Sequence, residues 1–255
     1  MGDAGRSGRL AAQLAGAAAA VLAVAQAGPG LTGLGPVRAA AFPHLAGQGD
    51  PGHVALTFDD GPDPAATPRF LDFLAARGIR ATFFMLGSMV VRARGLAAEV
   101  AAAGHEVGVH GYEHRYLPLR GPAATRSDLA RATELIADVT GRWPAFFRPP
   151  YGVLSGPSLL ALRPLGLTPV LWGASGREWD SGATGDSVLQ NVLRGLAGGV
   201  TVLLHDSDSV TPSISAAALA ALPSLLDECQ GRGLRVGPVG DHGLPARSRG
   251  GLART

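Results

Sequence analysis

The sequence predicts an α/β fold, a closed or nearly closed parallel barrel of seven βα units, from two observations. Short β-rich runs alternate with longer amphipathic runs between residues 53 and 239, the pattern of helices packed around a parallel sheet. The 255-residue chain is 46% hydrophobic and 16% charged. That is enough apolar side chain for one large core and too composed a mixture for a disordered chain.

The elements follow in order. Arg6 and Arg9 precede an apolar stretch over residues 10–25, and Ala25-Gln26-Ala27 then supplies a small-x-small site. This is the pattern of a secretory signal over residues 1–27. The apolar stretch is shorter than the roughly 20 residues that span a bilayer, which favours cleavage after Ala27 over the alternative, an uncleaved membrane anchor. Residues 28–52 are rich in Gly, Pro and Ala without period and read as a linker, residues 53–239 as the folded domain, and residues 240–255 as a frayed tail. Strands are expected at 54–58, 81–86, 106–109, 146–148, 168–172, 200–204 and 234–236. A helix is expected at 67–77, with Thr67 as cap, Pro68 in the first helical position and Gly78 as stop. Another is expected at 127–140, where Leu129, Ala132, Leu135, Ile136 and Val139 share one face and Gly141 terminates.

Other functions drop out on composition. The formal charge is +2, with no Lys/Arg block to grip a phosphate backbone, so nucleic acid is not a partner. Cys229 is the only cysteine, so an intramolecular disulfide and thiolate metal sites are excluded, and any metal must use His and carboxylate.

The polar residues that interrupt the apolar pattern gather at strand ends. Asp59 and Asp60 follow the first strand, His110 and His114 the third, Arg148 and Tyr151 the fourth, Glu178 and Trp179 the fifth, and His205 the sixth. In a parallel barrel the C-terminal strand ends form one rim, and active sites sit there. Adjacent strand residues point opposite ways, so Asp59 and Asp60 should have different jobs; the alternative is a turn in which both cap backbone N–H groups. Two imidazoles four residues apart can face one point and, with a carboxylate, offer two nitrogens and an oxygen, a donor set for zinc or a similar cation with positions open to water. Such a cation makes hydroxide available near neutral pH, which is hydrolytic chemistry. Asp59 and His205 remain as a proton acceptor and a proton donor. His53 and His105 begin strands at the opposite end and read as structural or solvent-facing, Trp143 as a turn cap, and Trp172 as core.

These residues together resemble the polysaccharide deacetylases of the NodB-homology type, carbohydrate esterase family 4. The motifs occur in order over residues 53–240: Thr57-Phe58-Asp59-Asp60-Gly61, His110 to His114, Arg148-Pro149-Pro150-Tyr151, Arg177-Glu178-Trp179, and Leu203-Leu204-His205. The stretches Gly61-Pro62-Asp63-Pro64, Thr67-Pro68 and Ala81-Thr82-Phe83-Phe84 are similar too. The resemblance implies a distorted TIM-like (β/α)7 barrel, the NodB-homology fold. It implies a divalent cation held by Asp60, His110 and His114: zinc, with cobalt, nickel or manganese as alternatives. It implies Asp59 as general base, His205 as general acid, Arg148 orienting Asp59, the Tyr151 N–H in an oxyanion hole, and Trp179 with Leu203 walling the acetyl methyl. The implied activity is that of a secreted, monomeric enzyme removing N-acetyl groups from an N-acetylglucosamine polysaccharide, chitin-like or peptidoglycan. The alternatives are an O-acetyl esterase on xylan and a non-catalytic carbohydrate-binding relative. Two positions depart from the family pattern: Gly111 replaces the usual Ser or Thr, and Glu178 replaces the usual Asp.

Overall fold

The computed structural model describes residues 15–246 except residue 18. Arg6 and Arg9 of the expected signal, and residues 247–255 of the expected tail, lie outside the described residues. Among the described residues eight strands appear: β1 (His53–Asp59), β2 (Thr82–Met85), β3 (Glu106–Val109), β4 (Phe146–Phe147), β5 (Thr168–Pro169), β6 (Ala174–Ser175), β7 (Thr201–His205) and β8 (Arg235–Gly237). All pairings are parallel, in the order β5-β4-β3-β2-β1-β7-β6, with β8 beside β1. The helices are α1 (Gly35–Ala41), α2 (Thr67–Arg77), α3 (Gly87–Arg92), α4 (Arg94–Ala102), α5 (Pro122–Thr140), α6 (Gly156–Leu165), α7 (Gly185–Leu193) and α8 (Ser215–Gly231). This is a curled parallel sheet wrapped by helices, the distorted (β/α)7 barrel.

Closure runs through one stretch of chain. β5 pairs with β4, and β6, only four residues further on, pairs with β7. The expected fifth strand, 168–172, is therefore cut short to β5, and β6 follows beyond its expected end, across a kink. At the kink the ladder gives way to other partners: the Leu171 N–H donates to Leu45 O, while Arg148 donates to Val170 O and Leu171 O. Nothing in the apolar pattern distinguishes a continuous strand from one interrupted by side-chain donors.

β1 shows how sequence alternation places the site. Val54, Leu56 and Phe58 face the helices in the larger core cluster, while Ala55 packs inside with Phe84, Phe146 and Val170. Thr57 and Asp59 share the inward parity with Ala55, and both accept hydrogen bonds from Arg148. α2 ends at Gly78 in the left-handed conformation (φ 64) as expected. Its cap differs: Thr67 lies inside the helix, where its hydroxyl donates to Asp206 and accepts from the Asp63 N–H. α5 starts five residues earlier than expected, at Pro122, because its first turn is mostly exposed and carries no apolar stripe.

Residues 28–52 are not a linker. After a 3-10 turn, Gly28–Gly33, and α1, the chain crosses the barrel wall as a strap. Thr201 Oγ1 donates to Gly47 O at 2.7 Å, and the Gly49 N–H donates to Gly199 O at 3.0 Å. A Cβ on Gly47 would lie 2.4 Å from Thr201 Oγ1, and one on Gly49 would lie 1.9 Å from His242 O. The glycines that suggested flexibility serve close backbone approach instead. The described part of the expected tail, residues 240–246, also packs, since His242 and Leu244 are buried. Upstream, Ala15–Gly33 is a helix long and apolar enough to cross a membrane by length and composition.

His53 and His105 are buried rather than solvent-facing. His53 Nδ1 lies 2.8 Å from His242 Nδ1, and His242 Nε2 donates to Gly47 O and Gly199 O. His242 therefore carries its proton on Nε2 and accepts from His53. Burial, then the facing His242, pushes His53 down to about 4, and burial lowers His242 and brings His105 to about 4. Unfolded histidine takes up a proton near 6.5, so below that pH the unfolded chain binds more protons, and stability falls until the pH passes about 4. We expect the Tm to drop on the order of 5–10 °C between pH 7 and 4.5. His242→Gln, whose amide can still donate to the two carbonyls, should flatten that drop; an equal slope in both proteins refutes the assignment.

Candidate active site

The C-terminal strand ends open onto a cleft of about 420 Å³ lined by Asp59, Asp60, His110, His114, Tyr151, Trp179, Leu203 and His205. The chain turns left-handed at Asp60 (φ 75), so the second carboxylate swings back over the rim instead of pointing away from it. Asp60 Oδ1 lies 3.4 Å from His110 Nε2 and 3.7 Å from His114 Nε2, and donor atoms of the three residues fall within 4.8 Å of one another. That oxygen is buried and has no hydrogen-bond partner. His110 Nδ1 donates to Arg148 O at 2.8 Å, which turns the Nε2 lone pair into the cleft. Burial pushes both imidazoles down to about 3 and Asp60 up to about 7. Neutral imidazoles with free lone pairs beside an unsatisfied buried carboxylate fit a divalent cation.

Asp59 is buried beside this group. Arg148, fully buried, donates to Asp59 Oδ1 at 2.8 Å and to Thr57 Oγ1 at 2.7 Å. Burial raises the Asp59 pKa and Arg148 opposes the rise. Across the cleft, His205 Nε2 is 3.9 Å from Asp60 Oδ2, and its Nδ1 is 3.7 Å from Glu178 Oε2. Burial disfavours the imidazolium, but Glu178, Asp60 and Asp59 together overcome it and push His205 up to about 9. Glu178 faces His205 despite its extra methylene, and it also accepts the His205 backbone N–H at 3.1 Å. Arg177 pairs with Asp180 instead.

The walls come from loops. Tyr151 is held at φ 59, and its exposed ring meets His114 edge-on at 4.4 Å. Trp179, 43% exposed, stands edge-on to His205 at 5.6 Å, and buried Leu203 lines the same cleft. Gly111 sits at φ 93, where a Ser or Thr would be strained. The loop is braced from α5 instead: Asp128 Oδ2 accepts the Tyr112 N–H at 2.9 Å.

The residues expected at the rim, Asp59, Asp60, His110, His114, Arg148, Tyr151, Glu178, Trp179, Leu203 and His205, lie in or around this cleft. Trp172 is a correction, since it lines the cleft rather than the core. Val210, Thr211 and Ile214 line it as well and carried no sequence signal. Asp206, the neighbour of His205, is occupied by Thr67 on the far side.

The chain matches the family described as polysaccharide deacetylase over residues 46–170. It is 33% identical to a peptidoglycan-N-acetylglucosamine deacetylase of Listeria monocytogenes, covering 72% of this chain and 40% of that protein. The chain thus spans less than half the length of that relative. It is 33% identical to a chitooligosaccharide deacetylase of Bradyrhizobium, covering 73% of this chain and 88% of that one. A solved peptidoglycan N-acetylglucosamine deacetylase superposes with a TM-score of 0.74 at 28% identity, over 84% of this chain and 98% of that one. A solved pseudoenzyme of Bacillus anthracis shares the fold at TM-score 0.69 and 24% identity, over 76% of this chain and 67% of that one. Fold alone therefore does not establish turnover. By sequence, fold and the residues gathered at the rim, the chain belongs to the polysaccharide deacetylase family, the NodB-homology group of carbohydrate esterase family 4.

Proposed function

We propose that the protein is an exported, metal-dependent hydrolase that removes N-acetyl groups from an N-acetylglucosamine polysaccharide, with peptidoglycan or a chitin-like polymer as substrate. The observation that carries this reading is the unsatisfied, buried Asp60 oxygen facing the ring nitrogens of His110 and His114. Two nitrogens and an oxygen suit zinc, with cobalt, nickel or manganese as alternatives. When bound, the cation acidifies water and polarises the amide carbonyl. Asp59, oriented by Arg148, accepts the proton of the attacking water. The Tyr151 N–H donates to the oxygen that gains negative charge. His205, kept protonated by Glu178, gives its proton to the departing amine, so acetate and a free amino sugar leave. Trp179 and Leu203 enclose the acetyl methyl.

Acetate release from chitin oligomers, peptidoglycan and acetylated xylan, with and without chelator, tests the reading. We expect release from one of the two N-acetylated polymers, abolished by chelator and restored by zinc. Release from xylan alone means an O-acetyl esterase, and release from none means a non-catalytic relative.

Export is part of the proposal, through a signal over residues 1–27. Protein recovered outside the cytoplasm should begin at Gly28, as Edman or mass analysis will show. A membrane-bound protein starting at Met1 or Gly2 would instead mean that the helix Ala15–Gly33 is a tether.

A further inference from the structure

We propose that Arg38, carried on the amino-terminal strap, is a positioning residue for the active site: it holds Trp172 against Gly152 and thereby fixes the loop that presents the Tyr151 N–H. Arg38 lies outside the family match, which begins at residue 46. It is only 5% exposed. Its Nη1 donates to Thr32 O at 3.0 Å and its Nη2 to Trp172 O at 2.7 Å. No carboxylate lies within ion-pair distance of it among the described residues. A cation buried in this way must be held by carbonyl dipoles and ring faces.

The ring is the connection. The Arg38 guanidinium lies 5.5 Å from the Trp172 ring centre, and the Arg148 guanidinium lies 5.7 Å from the same ring. Trp172 is thus shared between the strap and the arginine that orients Asp59. Its far edge presses on the rim, since a Cβ on Gly152 would lie 2.6 Å from Trp172 Cη2. The strap touches the same loop directly: a Cβ on Gly30 would lie 3.3 Å from Val153 Cγ1, and one on Gly33 would lie 3.6 Å from Gly152 O.

That loop needs support. Tyr151 (φ 59) and Gly152 (φ 68) are consecutive left-handed residues, and for Tyr this conformation is costly by itself, so packing must hold it. An N–H that stabilises developing charge must also be fixed in place before the reaction. Trp172 and the strap are the groups packed behind it.

The inference rests on the proposed function only in giving the Tyr151 N–H its task. The test compares the full chain with Arg38→Met and Arg38→Gln, reading kcat, zinc affinity and amide hydrogen exchange over residues 150–154. For Arg38→Met we expect kcat to fall about 10- to 100-fold, exchange over the loop to quicken, and zinc affinity to stay unchanged. Arg38→Gln retains one donor for Trp172 O and should fall between. In a double-mutant cycle with Trp172→Phe, the combined loss should be smaller than the sum of the two. Unchanged kcat and exchange in Arg38→Met, or a strictly additive cycle, overturns the proposal. If Arg38→Met does not fold, Arg38→Gln decides by the same readouts. If the wild-type chain releases no acetate from any polymer, the functional reading fails by itself, and loop exchange alone then upholds or rejects the role of Arg38.

Discussion

Asp59→Asn is expected to keep the proposed zinc and lose about 10²- to 10⁴-fold in kcat, whereas Asp60→Asn is expected to lose metal and activity together. The two carboxylates are adjacent in sequence and equally buried, so burial cannot separate them. Their partners do. Asp59 spends one oxygen on Arg148 at 2.8 Å, and its other oxygen stands 3.8 Å from His110 Nε2. Asp60 instead leaves one buried oxygen without any hydrogen bond, facing both histidines. An amide at position 59 can still accept from Arg148 but cannot take a proton from water. An amide at position 60 presents a neutral oxygen where a cation needs charge. Zinc content by atomic absorption, measured beside acetate release, separates the cases. Zinc lost from both variants, or from neither, means the assignment of ligand and base is wrong.

Arg148→Met should damage stability and turnover together. It removes the one arginine bonded to Asp59 among the described residues and strips donors from Thr57 Oγ1, Val170 O and Leu171 O. Breaking a buried pair by deleting one partner costs about 3–5 kcal/mol, because the remaining charge is stranded. Urea unfolding should show that loss, and acetate release should fall with it. Lysine should not rescue, since one ammonium cannot reach acceptors arranged for a planar fork. The double variant Arg148→Met, Asp59→Leu should regain much of the stability and none of the activity. If Arg148→Met unfolds at the wild-type urea midpoint, the arginine is not the keystone of this rim.

The rim was legible in the sequence because chemistry there depends on residue type at strand ends, and topology does the rest. Asp59, His110, Arg148 and His205 could be placed together once β1, β3, β4 and β7 were recognised as parallel. Less legible were features set by backbone geometry. The left-handed turn at Asp60, which returns its carboxylate to the cleft, has no side-chain signature. Trp172 ends an apolar run that looks like core, and only the kink between β5 and β6 turns it toward the cleft. The strap was misread for a related reason. Gly and Pro without period describe a flexible linker and a closely packed backbone equally well, and Gly47 and Gly49 belong to the second kind.

The position of β1 in the sheet bears on how the chain comes to be folded at all. β1 begins at His53 and is hydrogen-bonded to β2, but its other neighbours, β7 and β8, begin at Thr201 and Arg235. A growing chain therefore synthesises its central strand early and holds it with one edge unpaired until nearly the whole domain has emerged. Pairing over such sequence distances is slow, because the loop must close before the contacts reward it. If the chain is exported as proposed, that delay is an advantage: the barrel cannot lock while its last strands are still on the ribosome, and the chain stays threadable until translocation has begun.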